Sequence, residues 1–169
     1  SFDLANRFEA QGQVEHRGLE LSYSGRIGER LSVVAGAVFI DPIVSGESVD
    51  MGRTGERAVG VPDARARIDL NYRTNLFGGL TPTFGMSYIG ERAASATPYA
   101  ALGGEQVMLN PVTTFDIGVR NQFRAGGRPV SVRLTIANVT NEIAWRSIAS
   151  NSYQMDDRRR LILALLTDF

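Results

Sequence analysis

Residues 158–169 read Arg158-Arg-Arg-Leu-Ile-Leu-Ala-Leu-Leu-Thr-Asp-Phe169. Taken by twos, Arg159, Leu161, Leu163, Leu165, Thr167 and Phe169 share one face of a strand, and Arg160, Ile162, Ala164, Leu166 and Asp168 the other. The first face is a band of leucines that ends on an aromatic residue. Two readings fit this stretch alone. It is the last strand of a soluble sandwich, or it is a wall strand whose leucines face lipid and whose Phe lies at the membrane interface.

The rest of the chain separates the two. From Val14 the sequence alternates, with Leu19, Leu21 and Tyr23 against Glu20, Ser22, Ser24 and Arg26. Gly28-Glu29 turns it into a second strand, Leu31 to Ile40, followed by a polar loop from Asp41 to Pro62. Further strands are expected at Ala64–Arg73, Leu80–Ile89, Thr113–Phe123 and Val130–Ala137, each apolar on one face and polar on the other. Thr74 to Gly79 and Ala125 to Arg128 are short turns. Ala93 to Leu109 is a long loop, and a shorter one runs roughly from Ile148 to Met155. No helix is expected.

The count is about seven antiparallel strands, most near the roughly 10 residues of a tilted membrane-spanning strand. Their connections alternate between short and long, which places short turns at one rim and long loops at the other, as in outer-membrane barrels. The fold class is therefore all-β, built of transmembrane barrel strands. Single-chain bacterial barrels have an even number of strands, and an open sheet leaves two unpaired edges in hydrocarbon. The expectation is that residues 1–169 form the C-terminal section of a larger barrel.

Composition agrees with this class. Eighteen Asp and Glu balance eighteen basic residues, all of them arginine, so no nucleic-acid footprint is present. There is no cysteine, which excludes disulfides, thiol catalysis and Cys-based zinc sites. The longest apolar run is the six residues Leu161 to Leu166, far short of the roughly 20 of a membrane helix. Ser1-Phe-Asp-Leu-Ala-Asn-Arg7 is no signal peptide.

Five segments, in order, resemble the TonB-dependent outer-membrane receptors, especially the siderophore receptors. They are Gly12-Gln-Val-Glu-His-Arg-Gly-Leu-Glu20, Val61-Pro-Asp-Ala-Arg-Ala-Arg-Ile-Asp-Leu-Asn-Tyr72, Met86-Ser-Tyr-Ile-Gly-Glu-Arg92, Phe115-Asp-Ile-Gly-Val-Arg120 and Leu134-Thr-Ile-Ala-Asn-Val-Thr-Asn141. The closing strand is similar to the family's C-terminal signature through Arg159, Leu161, Leu163, Ala164, Leu165 and Phe169. Arg158 stands where the family usually has Pro, and Ala64 where it often has His. The resemblance implies a barrel of about 22 strands with a plugged lumen, importing ferric siderophores with energy from TonB. It implies that the plug domain, the TonB box and the earlier barrel strands lie outside these residues. It also implies that Leu163, Leu165 and Phe169 form the signal read by the barrel-assembly machinery. An exposed edge strand is physically suited to that, because it offers unpaired backbone groups for strand addition.

The remaining candidates have plain readings. His16 is the only histidine, so no His cluster binds metal or runs a triad, and no cofactor or enzyme activity is expected. Asp156-Asp157 beside Arg158–Arg160 reads as a neutralised rim cluster. Gly103-Gly104 and Gly126-Gly127 read as turns, since they lack a strand-to-helix context. Trp145 is placed near the outer rim as an interfacial aromatic or a stacking residue for ligand. Arg65, Arg67, Arg73, Arg120 and Arg133 are expected to face the lumen with Glu20, Asp69 and Asp116, as a hydrogen-bonded wall against the plug. No ligand-binding residue is assigned. Besides a siderophore transporter, the chain fits a passive porin or a structural barrel; a hydrolase lacks a paired nucleophile and base.

Overall fold

A computed structural model describes residues 12–167. Seven strands form one antiparallel sheet: β1 (Gln13–Ile27), β2 (Leu31–Ser45), β3 (Ala64–Tyr72), β4 (Thr81–Ile89), β7 (Val112–Ala125), β8 (Arg128–Ala137) and β11 (Arg160–Thr167). They lie in that order, so every sheet neighbour is the next strand of the set along the chain. Two small ribbons stand apart, β5 (Arg92–Ala93) with β6 (Met108–Leu109) and β9 (Trp145–Ala149) with β10 (Ser152–Met155). The one α-helix among the described residues, α1 (Glu47–Asp50), is a single turn.

The register makes one face apolar from edge to edge. Directly paired residues project to the same side, and the sheet pairs Val33 with Leu70, Leu70 with Phe84, Phe84 with Ile117, and Ile117 with Ile136. Leu134 pairs with both Val119 and Leu163, which carries the face onto β11. Phe84 and Phe115, on adjacent strands of this face, have ring centroids 6.1 Å apart. Asp69, Asp116 and Arg133 fall at intervening positions and project to the opposite side, as expected.

None of the described residues covers the apolar face. Leu161, Leu163 and Leu165 are 71%, 70% and 69% exposed, and even on inner strands Phe84 and Leu134 remain more than a third exposed. Apart from glycines and prolines, the buried apolar residues among those described are Ala93, Ala94, Val112 and Ala144. A compact monomer of 18.4 kDa exposes about 8,200 Å², whereas this chain exposes 11,962 Å². A half-buried sheet of a soluble sandwich would place these leucines, valines and phenylalanines in a core. Here they form a bare wall.

Turns and loops sort to opposite rims. Short connections join β1 to β2, β3 to β4 and β7 to β8, the last through Gly126 and Gly127, whose φ angles of 60° and 80° are those of a two-residue hairpin turn. Long connections join β2 to β3, β4 to β7 and β8 to β11. The loops contain more structure than their composition suggests. β2 continues through Asp41 and Pro42 to Ser45, held by pairing with β1 as far as Gln13. The stretch from Ile148 to Met155 is not an irregular loop: it holds most of the β9–β10 hairpin, turned by Asn151 at φ 58°.

Candidate functional site

Two surfaces remain once the apolar face is set aside: the polar inner face and the long-loop rim. On the inner face, alternation places Glu20, Arg65, Arg67, Asp69, Asp116, Arg120 and Arg133 on one side of the sheet. Within the sheet itself few of these side chains bond to one another. Arg67 alone pairs in bidentate fashion, donating Nε–H and Nη2–H to Asp69 at 2.7 Å each. The register explains the rest. Glu20 lies opposite Val38, and Val38 opposite Arg65, so this acid and its nearest arginine are two strand spacings apart, about 10 Å. Arg120 lies directly opposite Arg133, like charge to like charge. Gly85 separates Asp69 from Asp116, and a Cβ there would sit 3.3 Å and 3.4 Å from those two side chains.

Asp116 has a different partner. Its Oδ1 accepts the backbone N–H of Asn138 at 2.9 Å. Asn138 is buried, in the left-handed region at φ 50°, and its amide closes the turn after β8. Its Nδ2–H donates to the Glu142 carbonyl, and its Oδ1 accepts the Glu142 N–H. Nδ2 also reaches the Asp157 carbonyl at 3.4 Å, and Asn141 Oδ1 accepts the Arg159 N–H at 3.1 Å. Two residues of the recognised segments, Asp116 and Asn138, therefore meet in space and fix where β11 starts. The Asn–x–x–Asn spacing marks the turn; its partner across the sheet is not visible in the sequence.

At the long-loop rim, residues 92–95 are the tie between three loops. Arg92 is 5% exposed; it donates to the carbonyls of Gly90 and, through Nη2, Trp145. Burial lowers its pKa from the usual guanidinium value; Asp156 offsets part of that, and Arg65 adds to the lowering. Ala93 and Ala94 are fully buried, and Ala94 accepts the Asn151 N–H. Ser95 Oγ accepts from the Val107 N–H at 2.9 Å and donates to the Thr97 carbonyl at 3.0 Å. Gln106 crosses to the first loop. Its Oε1 accepts the Arg57 N–H, and its Nε2 donates to the carbonyls of Arg57 and Ser95. Gly55 leaves room for it: a Cβ there would fall 2.1 Å from the Gln106 side chain and would displace it. Beside this tie opens a recess of about 570 Å³ whose lining includes Thr54, Glu56, Arg57, Glu91, Glu105 and Gln106. It is open to solvent and mixed in character, with Val49, Pro98 and Met108 also in its lining.

The structure places the other candidates as follows. Leu163 and Leu165 stand on the apolar face of β11, an edge strand with β8 on one side and no partner on the other among the described residues. Phe169 lies outside the described residues. Trp145 opens β9, half-exposed at the long-loop rim. Asp157 pairs with Arg160 at 2.6 Å and Asp156 with Arg146 at 3.6 Å, the neutralised cluster expected. His16 is exposed on β1.

Residues 1–141 match the family described as TonB dependent receptor-like, beta-barrel. The ferrichrome receptor FcuA of Yersinia enterocolitica is 31% identical over 97% of this chain, which spans about a fifth (21%) of that protein. Among solved structures, BauA, the ferric preacinetobactin receptor of Acinetobacter baumannii, superposes with a TM-score of 0.79 at 25% identity, over 94% of this chain and 23% of that one. The siderophore receptor PiuA from the same organism shares the fold, with a TM-score of 0.70 at 17% identity over 91% of this chain and 22% of that one.

Proposed function

The chain belongs to the TonB-dependent receptor β-barrel family of the bacterial outer membrane, and we propose that its sheet is about a third of a closed barrel of some 22 strands that imports a ferric siderophore. The observation that carries this is the uncovered apolar face. A seven-stranded sheet with both edges unpaired and one face bare is unstable in water and in lipid alike. Continued into a barrel, the apolar face meets lipid, the edges pair, and the polar face encloses a lumen. The siderophore reading draws on FcuA and BauA, whose names give ferrichrome and ferric preacinetobactin as their ligands. In this reading the tied long loops contribute part of an external ligand surface, and energy comes from TonB through a segment beyond these residues.

The test is uptake of radioactive iron from a panel of ferric siderophores, by cells carrying the full-length receptor with and without TonB. Saturable uptake of one siderophore class, abolished without TonB, is the expected result. Uptake that persists without TonB would instead assign a passive pore.

A further inference from the structure

The turn between β3 and β4 keeps an aromatic residue where the backbone suits glycine. Phe77 has φ 47° and ψ 40°, in the left-handed region, and Gly78 and Gly79 follow it at φ 74° and 114°. A bulky side chain is strained there, because its Cβ crowds the following carbonyl oxygen. Packing among the described residues gives nothing back: Phe77 is 82% exposed and Leu76 beside it 62%. Strain held at an exposed side chain points to a use for that side chain. The turn is firmly built all the same. Thr74 Oγ1 accepts the Leu76 N–H at 3.2 Å and donates to the Leu80 carbonyl at 2.7 Å. The Leu76 carbonyl accepts the N–H groups of Gly79 and Leu80.

Asn121 sets the direction in which this turn leans. It lies opposite Val132, on the face that carries Ile117, Val119 and Phe123. Its Nδ2–H donates to the Phe77 carbonyl at 3.2 Å, and its Oδ1 is shut off from solvent. The turn therefore leans over the outward, apolar side of β7 and not over the lumen. Tyr72 and Phe123 stand exposed at the same end of that side, so Leu76 and Phe77 extend a surface already given to lipid. From Thr74 to Pro82 no residue is charged. Uncharged apolar side chains suit the boundary between headgroups and acyl chains, where aromatic rings gather. A protein partner held by ion pairs would find nothing in this turn to pair with. We infer that Leu76 and Phe77 form an apolar hook, braced by the Asn121 amide, that inserts among the phospholipids of the periplasmic leaflet. At the headgroup–acyl boundary it fixes the depth and tilt of this part of the wall. Short turns are periplasmic in such barrels, and the inference rests on the barrel reading above.

The experiment uses the full-length receptor in outer membranes, with a benzophenone amino acid replacing Phe77, or Leu76 should the first variant not fold. A separate receptor carries the probe at Phe84, within the wall on the apolar face. After irradiation, adducts are identified by mass spectrometry, and folding is followed as heat-modifiable migration. The expected product at Phe77 is a phospholipid adduct, in yield comparable to that at Phe84. Asn121→Ala should lower the Phe77 yield about fivefold, the scale of one hydrogen bond, and leave the Phe84 yield unchanged. A folded receptor that gives lipid at Phe84, but a protein crosslink or no adduct at Phe77, overturns the hook alone. A Phe77 yield that Asn121→Ala leaves unchanged overturns the brace. Lipid at neither position overturns the barrel reading as well.

Discussion

The strand wall and the long-loop rim are built on opposite rules. The wall holds its shape through backbone ladders and keeps its large side chains, Leu163, Phe84 and Ile117 among them, on the outside. The rim contains most of the buried residues, and they are small or polar: Ala93, Ala94, Ser95, Arg92, Asn138 and Ala144. The wall borrows its apolar environment from the bilayer, so it needs no core, and charges on the outward side, Glu15, Arg17 and Asp41, stand at the long-loop ends of β1 and β2. The rim is surrounded by water and must supply its own interior. It does so by satisfying backbone groups with Ser95, Gln106 and Asn138 rather than by packing large apolar side chains.

The largest effect that could break this contrast is a charge on the wrong face. Ile117→Arg, near the middle of β7 and opposite Phe84, should destabilise the full-length barrel by about 2–4 kcal/mol in lipid-vesicle unfolding. Thr135→Arg, on the inner face of the neighbouring strand, should cost far less. Equal costs would mean that the two faces see the same solvent.

Assembly should fail next. Deleting Phe169 from the full-length receptor, or introducing Leu163→Asp with Leu165→Asp, is expected to lower its outer-membrane level several-fold. Ligand affinity of the assembled fraction should change little, because the long loops proposed to contribute to ligand binding are at the other rim. Normal assembly with lost affinity would contradict the role of the closing strand.

At the rim, Gln106→Ala removes the acceptor and the donor that join the first two loops at Arg57, and a bond to Ser95 within the second loop. Hydrogen exchange at Gly55 and Arg57 should accelerate about tenfold, the scale of losing one hydrogen bond. Exchange in β3 and β4 should not change. The smallest effect is expected from Arg67→Gln, which breaks an ion pair that is largely exposed; its stability cost should stay under about 1 kcal/mol.

Much of the wall was legible in the sequence, because a strand with lipid on one side and water on the other writes a period of two directly into the chain. Ala64–Tyr72 and Thr81–Ile89 appear within a residue of where alternation places them. The reading stops where other forces hold the chain. Asp41 and Pro42 interrupt the apolar pattern, yet β2 runs on because β1 pairs with it to Gln13. The rim was opaque for a different reason. Gln106 is bonded to a residue 49 positions away, Asp116 to one 22 away, and neither separation leaves a local pattern. Pairing within the arginine face was equally illegible: alternation gives the face of a residue but not its neighbour across the sheet, and Arg120 meets Arg133.

The central claim is that alternate residues of this sheet face lipid and lumen. Spin labels placed one at a time from Ser131 to Ile136 in the full-length receptor, reconstituted in bilayers, test it most directly. Oxygen, which partitions into lipid, should broaden labels at 132, 134 and 136, while a water-soluble nickel complex should reach 131, 133 and 135 better than those three. A sequence of labels with no period of two, or with the lipid signal at Arg133 and Thr135, would contradict the account.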